Sequence, residues 1–320
     1  MTRVGDWQPS ASIETLRLRA AMMNRVREFF SQRGVLEVET PLLSRAAITE
    51  PNLASAEVRL PGLREAFYLH TSPEFFMKRL LAAGSGDTWQ ACKVFRGAER
   101  GSRHNPEFTM IEWYRTGFDH HALMDEVAGL LRELLPDLAA GDERFTYREA
   151  FATHAKIDPF EADDAALRAA VAEYGLDAAG LDRDALLDAI ASHAVYPQLG
   201  RNRVSFVHAF PASQAALARL DENDPRSACR FEAFVNGVEL ANGFHELNDA
   251  AEQRRRFESE NERRREAGLP EMPLDENLLA ALEAGMPDCA GVALGFDRVV
   301  MLATGAKHIG EVISFGFDRI

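Results

Sequence analysis

The chain has 320 residues, 46% apolar and 27% charged, with 36 Lys and Arg against 50 Asp and Glu for a formal charge of −14. That composition suits a globular protein with a substantial core. It holds no apolar run long enough to span a bilayer, and its acidic balance disfavours a broad tRNA-binding surface without excluding a local basic patch. Residues 1–10 carry Arg3, Asp6 and Pro9 and no apolar core, so they do not read as a secretory signal. Cys92, Cys229 and Cys289 are far apart and in no CxxC spacing. They read as buried or idle thiols in a reducing cytoplasm, not as a zinc site or disulfide framework.

Ser12 is suited to cap a helix running to Gly34, with Leu16, Ala20, Met23, Val26 and Phe30 at helical spacing on one face. Residues 35–40 alternate like a strand and stop at Pro41, which has no N–H for a ladder. Ser72-Pro73-Glu74 opens a second helix, with Pro73 suited to its first position. Residues 90–96 and 107–114 read as strands joined by a polar loop. From about 117 to 203 the character changes. Segments 164–174 and 182–193 are Ala-rich, Asp-capped and helical, which suggests a small helical insertion in a single domain. Strand-like sequence resumes at 204–210, and 230–245 reads as a hairpin around Asn236-Gly237, a strong two-residue turn signal. A charged helix is expected at 249–266, then a Gly-rich strand and helix at 291–302. Hairpins dominate, so the expected class is α+β, a mostly antiparallel sheet with helices packed on it.

The hairpin carries the most local information. A two-residue turn pairs Val235 with Val238 and Phe234 with Glu239, so Glu232 and Glu239 lie diagonally on one face. Carboxylates that close repel unless a cation lies between them, and oxygen ligands on a rigid sheet suit Mg²⁺. Taken alone, the pattern fits a solvated face with two unrelated glutamates better. Arg96, Arg100, Arg103 and His104 converge on a loop leading into Asn105-Pro106-Glu107-Phe108. Such a set can fork onto phosphate oxygens and stack a purine, or be an ordinary basic surface loop. The run from Gly291 to Arg298 lacks the spacing of a P-loop or dinucleotide fingerprint, and close backbone packing is its first reading. His120, His121, His154, His193 and His208 belong to no ligand-like cluster and read as surface or core residues.

Together these segments match a known pattern. Val35-Leu-Glu-Val-Glu-Thr40-Pro41 resembles the first signature of class II aminoacyl-tRNA synthetases. Phe95-Arg96 with residues 103–114 resembles the second, and residues 291–298 the third. Residues 239–249 are similar to the lysine-specific stretch of lysyl-tRNA synthetases. The resemblance covers nearly the whole chain in the right order. The first-signature helix begins around Ser12, leaving no room for the OB-fold domain that reads the anticodon. Short chains of this pattern resemble the elongation factor P–(R)-β-lysine ligases, lysyl-tRNA synthetase paralogues that attach β-lysine to a lysine of that factor.

The resemblance implies a class II antiparallel sheet flanked by helices, ATP and Mg²⁺ as cofactors, and β-lysine or lysine as substrate. It further implies elongation factor P as partner, a homodimer built on the first-signature segment, no membrane, and tRNA as an unlikely substrate. Arg96 would hold the α-phosphate and substrate carboxylate, while Arg103 and His104 face the outer phosphates. Phe108 and Arg298 would sandwich the adenine, with Asn105, Leu240 and Gly295 seating the nucleotide. Glu232 and Glu239 would bind Mg²⁺. Glu74, beside Ser72, would meet the near amine, and Tyr114 and Glu246 the distal one, with Asn242 and Phe244 shaping the pocket. Arg96, Glu239 and Arg298 carry the catalytic expectation. Their retention argues against a non-catalytic amino-acid sensor, and the acidic charge and missing OB-fold domain argue against a minimal tRNA-charging enzyme.

Three departures stand out. The acid of the second signature falls at Glu99, with Ala98 where it usually sits. Ala293 replaces a usual glycine. An unbroken ladder turns Glu246 away from the face of Glu239, and Gly243 is a candidate for the bulge that corrects this.

Overall fold

The computed structural model describes residues 7–97 and 100–320. Readings that concern residues 1–6, Ala98 and Glu99 lie outside the described residues. Ser12 does cap the first helix, its hydroxyl accepting from the Thr15 N–H at 3.0 Å, and α1 (Ile13–Ser31) follows. The helix stops three residues before Gly34. Its buried side is Met22, Val26, Phe29 and Phe30, while Leu16 and Met23 are half-buried and Ala20 is exposed. The stripe is thus rotated from the expected one, because Phe29 and Phe30 both turn inward and Phe30 stacks on Trp89 at 4.8 Å.

The remaining elements in chain order are β1 (Leu36–Glu37), β2 (Leu43–Ser44), β3 (Ala56–Val58), β4 (Phe67–Leu69), α2 (Glu74–Ala82), β5 (Thr88–Phe95) and β6 (Glu107–Thr116). Then come α3 (His120–Leu134), β7 (Asp142–Thr146), α4 (Tyr147–His154), α5 (Asp164–Glu173), α6 (Arg183–Ile190), β8 (Val204–Pro211), β9 (Ser227–Val235) and β10 (Val238–His245). The chain closes with α7 (Ala250–Glu266), α8 (Glu276–Gly285), β11 (Cys289–Gly295) and α9 (Phe296–Thr304). It divides into two units, one of Met1–Gly117, Leu247–Cys289 and Ala293–Ile320, the other of Phe118–Glu246 and Ala290–Val292.

In the first unit β1, β5 and β6 are neighbours, and β11 follows β6. The β1/β5 pair is parallel and β5/β6 antiparallel from Thr88↔Tyr114 to Phe95↔Glu107. The strand expected over 35–40 is only two residues long, though Val38 still donates to the Trp89 carbonyl at 2.9 Å. A small second sheet, β2-β4-β3, leaves no periodic signal because its strands have two or three residues. Pro73 serves as the cap of α2, one position earlier than expected, and Glu74 is the first helical residue. Asp297, in the first turn of α9, is buried against Arg19 of α1 at 2.5 Å and accepts the Thr109 N–H of β6 at 2.8 Å.

In the second unit the strand order is β10-β9-β8-β7, with residues 290–292 of β11 beside β10. β9 pairs antiparallel with both β8 and β10, and β7 pairs parallel with β8. Residues 117–203 therefore include the strand β7 as well as helices. Asp163 and Asp182 cap α5 and α6 as their positions suggest, each side chain accepting a backbone N–H. α6 stops at Ile190 and passes into a single π turn through Val195. Tyr147, Phe151, Leu167, Leu186 and Ile190 from α4–α6 share a core with Val207, Phe210 and Phe234 of the strands. Helices packed on a mainly antiparallel sheet with parallel pairs at β1/β5 and β7/β8 make an α+β fold.

Candidate active site

The hairpin holds the second unit's share of the candidate residues. Asn236 and Gly237 have φ of 50° and 70°, the left-handed pair that a type I′ turn requires, so the two-residue turn forms as expected. Val238 pairs with Val235 and Glu239 with Phe234, but Ala241 then pairs with Ala233. The extra residue is Leu240, buried in a one-residue bulge. From there Asn242 pairs with Glu232 and Phe244 with Arg230. The shift restores parity, so Glu239, Asn242, Phe244 and, one step past the strand, Glu246 share the face of Arg230 and Glu232.

The bulge expected at Gly243 thus lies at Leu240, and Gly243 has another cause. A Cβ there would run into the Phe231 ring and sit 3.0 Å from Cβ of Val292. Glycine is needed for that close approach and not for a turn.

On the shared face, Arg230 reaches Oε1 of Glu232 at 2.5 Å, Oδ1 of Asn242 at 3.2 Å and the Gln214 carbonyl at 2.7 Å. Its guanidinium lies 4.4 Å from the Phe210 ring centre. Burial pushes the Glu232 carboxyl up to about 7, with Arg230 opposing and the Glu239 charge adding to the rise. Burial outweighs the ion pair with Arg230 here. Such a carboxylate is short of positive charge, and a divalent cation between Glu232 and Glu239 would relieve it. The donor set therefore fits Mg²⁺, with Oε1 of Glu232 already engaged by Arg230. Glu246 is fully buried, its backbone carbonyl accepting from Arg219 at 3.1 Å.

The first unit carries the other candidates. Arg96 follows the end of β5, its N–H bonded to the Pro106 carbonyl at 2.9 Å. Its guanidinium lies 5.3 Å from the ring centre of Phe108 on β6. Arg298 in α9 meets Nε2 of His104 at 2.7 Å and the Arg103 carbonyl at 3.4 Å, so the third-signature arginine and the second-signature loop do come together. Gly295 caps α9 at the point where β11 turns into it. Asn105 uses both ends of its amide on backbone, donating to Glu107 at 2.6 Å and accepting from Phe317 at 3.0 Å. It holds the loop against the C-terminal turn, and with His104 it lines a cavity of about 530 Å³.

Glu74 pairs with buried Lys78 at 2.6 Å, and Ser72 lines a cavity of about 30 Å³, room for water but not for an amino acid. Tyr114 is buried with its hydroxyl donating to Glu112 at 2.8 Å. Glu112, a buried acid two residues earlier on β6, is absent from the sequence-derived set although it lies inside the second signature. Alternation was the available signal, since residues 112 and 114 share a face.

The histidines correct a second expectation. His120, His121 and His208 each offer a ring nitrogen within 4.8 Å of the others, and His120 also forms such a group with Cys229 and His245. Burial and the neighbouring histidines push His120 down to about 3, and burial and His121 push His208 to about 4. His154 and His193 join no such group among the described residues.

The family model of class II tRNA synthetases (D, K and N) matches residues 2–319. The chain belongs to that family. As a class II synthetase it has full-length relatives. It is 52% identical to an elongation factor P–(R)-β-lysine ligase of Klebsiella pneumoniae subsp. pneumoniae, with all of both chains covered. It is 51% identical to the ligase of that name from Salmonella gallinarum and 50% to that of an Enterobacter species, again over all of each chain. No described helix is long and apolar enough to cross a membrane.

Proposed function

We propose that this class II synthetase is an AMP-forming ligase that activates (R)-β-lysine with ATP and transfers it to a lysine side chain of elongation factor P. The observation that carries the reading is the Leu240 bulge, which sets Glu232, Glu239, Asn242, Phe244 and Glu246 on one face. Acid, amide and aromatic side chains in that row suit a metal–triphosphate at one end and a diamino acid at the other. The full-length relatives bearing that ligase name support the choice of substrate and acceptor.

Arg96 binds the α-phosphate and the amino-acid carboxylate, and Arg103 and His104 bind the outer phosphates. Phe108 and Arg298 flank the adenine, and Asn105, Leu240 and Gly295 shape its seat. Glu232 and Glu239 hold Mg²⁺, which when bound neutralises phosphate charge. Glu74, Tyr114 and Glu246 orient the two amines, with Ser72, Asn242 and Phe244 around them. The carboxylate oxygen bonds to the α-phosphorus as the bond to pyrophosphate breaks. The acceptor amine then bonds to the acyl carbon, AMP leaves, and the amine proton passes to solvent. Arg96 stabilises charge in both steps by fixed position.

The proposal takes the chain as one catalytic domain with residues 117–203 inserted, acting in the cytoplasm as a homodimer. Exposed Ile13, Leu18 and Leu36 in and after α1 support that pairing surface, and a monomer in sedimentation at micromolar protein would refute it. Activity is tested by incubating the enzyme with ATP, Mg²⁺, labelled (R)-β-lysine, elongation factor P and tRNA together. Label on the factor is the expected result. Label on tRNA makes it a tRNA-charging enzyme, and no label on either removes the ligase reading.

A further inference from the structure

The other face of β8, β9 and β10 carries different chemistry. His208 pairs with Phe231, and Cys229 lies two residues from Phe231 on β9, so both point away from the face of Glu232. One step beyond the Phe244↔Arg230 pair, the register sets His245 across from Cys229. α3, capped by Asp119, packs on these three strands and brings His120 and His121 over them in its first turn.

A nitrogen of His120, the sulfur of Cys229 and a nitrogen of His245 lie within 4.8 Å of one another. Cys229 is buried and in no disulfide. Nδ1 of His120 is buried and makes no hydrogen bond. Buried polar atoms nearly always have a partner, so a histidine with an unbonded buried nitrogen beside a thiol and a second imidazole is suited to take a ligand.

We propose that His120, Cys229 and His245 bind a divalent transition ion of the zinc class, apart from the acidic face that suits Mg²⁺. One thiolate and two imidazoles select zinc-like ions over the hard cations. Bond lengths of about 2.0–2.3 Å put ligand atoms roughly 3.5 Å apart, so modest side-chain rotations close the site. Cys229 and His245 stand on adjacent strands of a rigid ladder, which lowers the ordering cost, and water completes the shell. The Cys229 thiol loses its proton to the buffer as the sulfur–metal bond forms. The ion ties the start of α3 to the sheet and stabilises the fold by mass action.

The test uses the full chain, stripped with a chelator and titrated with Co²⁺ in excess Mg²⁺. One equivalent should give a thiolate-to-cobalt charge-transfer band that Zn²⁺ displaces. Cys229→Ser should abolish the band, and His120→Ala and His245→Ala should weaken binding at least about tenfold. Cys92→Ser and His208→Ala should leave it. Zn²⁺ should also protect Cys229 of the unaltered chain from alkylation, a readout that needs no variant to fold. No band at stoichiometric metal, a band that survives Cys229→Ser, or spectra of nitrogen ligands alone that vanish in His208→Ala would each overturn the proposal. So would alkylation of Cys229 at the same rate with and without Zn²⁺.

Discussion

On one face of the β8–β10 ladder stand Arg230, Glu232, Glu239 and Asn242, and on the other His208, Cys229 and His245. The backbone is common to both, and strand alternation sets the oxygen donors on one side and the nitrogen and sulfur donors on the other. They differ in how they are assembled. The acidic face depends on a single inserted residue, since without the Leu240 bulge Asn242 and Glu246 would turn to the histidine side. The histidine face depends instead on α3, which brings two of its ligand-type residues from outside the sheet. Register fixes which face a residue joins, while chemistry at either face still needs something beyond regular pairing.

The sharpest way to break this separation is to damage one face and examine the other. Glu232→Gln should lower pyrophosphate exchange by about 10²-fold, the cost of one misplaced electrostatic stabiliser. Its cobalt spectrum should remain that of the unaltered chain. A spectrum changed together with activity would mean the faces are not independent.

A smaller effect is expected at Gly243, which sits where the Phe231 ring crosses β10. Gly243→Ala should destabilise the fold by about 1–3 kcal/mol through overpacking, measured by urea unfolding. Adding Phe231→Leu should recover part of that loss, and strict additivity of the two changes would show that they do not touch.

Asn236 bears on both faces at once, because the turn serves each of them. Asn236→Ala places an alanine at φ of 50° and removes the acceptor for the Asn202 N–H, so about 1–2 kcal/mol should be lost. Pyrophosphate exchange and cobalt binding should weaken together, and loss of only one would argue that the faces tolerate turn damage separately.

The pH dependence is the mildest test. Glu232 is pushed up to about 7 by burial, so the folded chain holds that proton more firmly than the unfolded one. Its contribution to stability is full below the ordinary carboxylate range and lost as pH rises through about 7. In Mg²⁺-free buffer, Glu232→Gln should flatten that part of the stability curve, and an unchanged slope would contradict the assignment.

Much of this was legible in the residues. Asn236-Gly237 requires positive φ at both positions, so the turn and its first two pairs followed directly. Leu240 gave no sign of a bulge because leucine is at home in a regular strand, and Gly243, which looked like one, answers a steric demand from Phe231. The histidine cluster was hidden because its members come from segments far apart in sequence, and the packing of α3 on three registered strands brings them together. Glu112 was hidden for a different reason, as an acid between apolar neighbours in its strand, and its bond to the Tyr114 hydroxyl leaves no mark in the sequence. The loop from Arg96 to Phe108 was readable in content, and its contact with Arg298 depended on α9 packing.

The most direct test is exchange of labelled pyrophosphate into ATP, driven by (R)-β-lysine and Mg²⁺, in the unaltered chain and in Glu239→Gln. Exchange that requires both, and falls by about 10²–10³-fold in a variant that remains folded, is the predicted result. Undiminished exchange in Glu239→Gln, or exchange that ignores Mg²⁺, would contradict the claim that the acidic hairpin face holds the metal for activation.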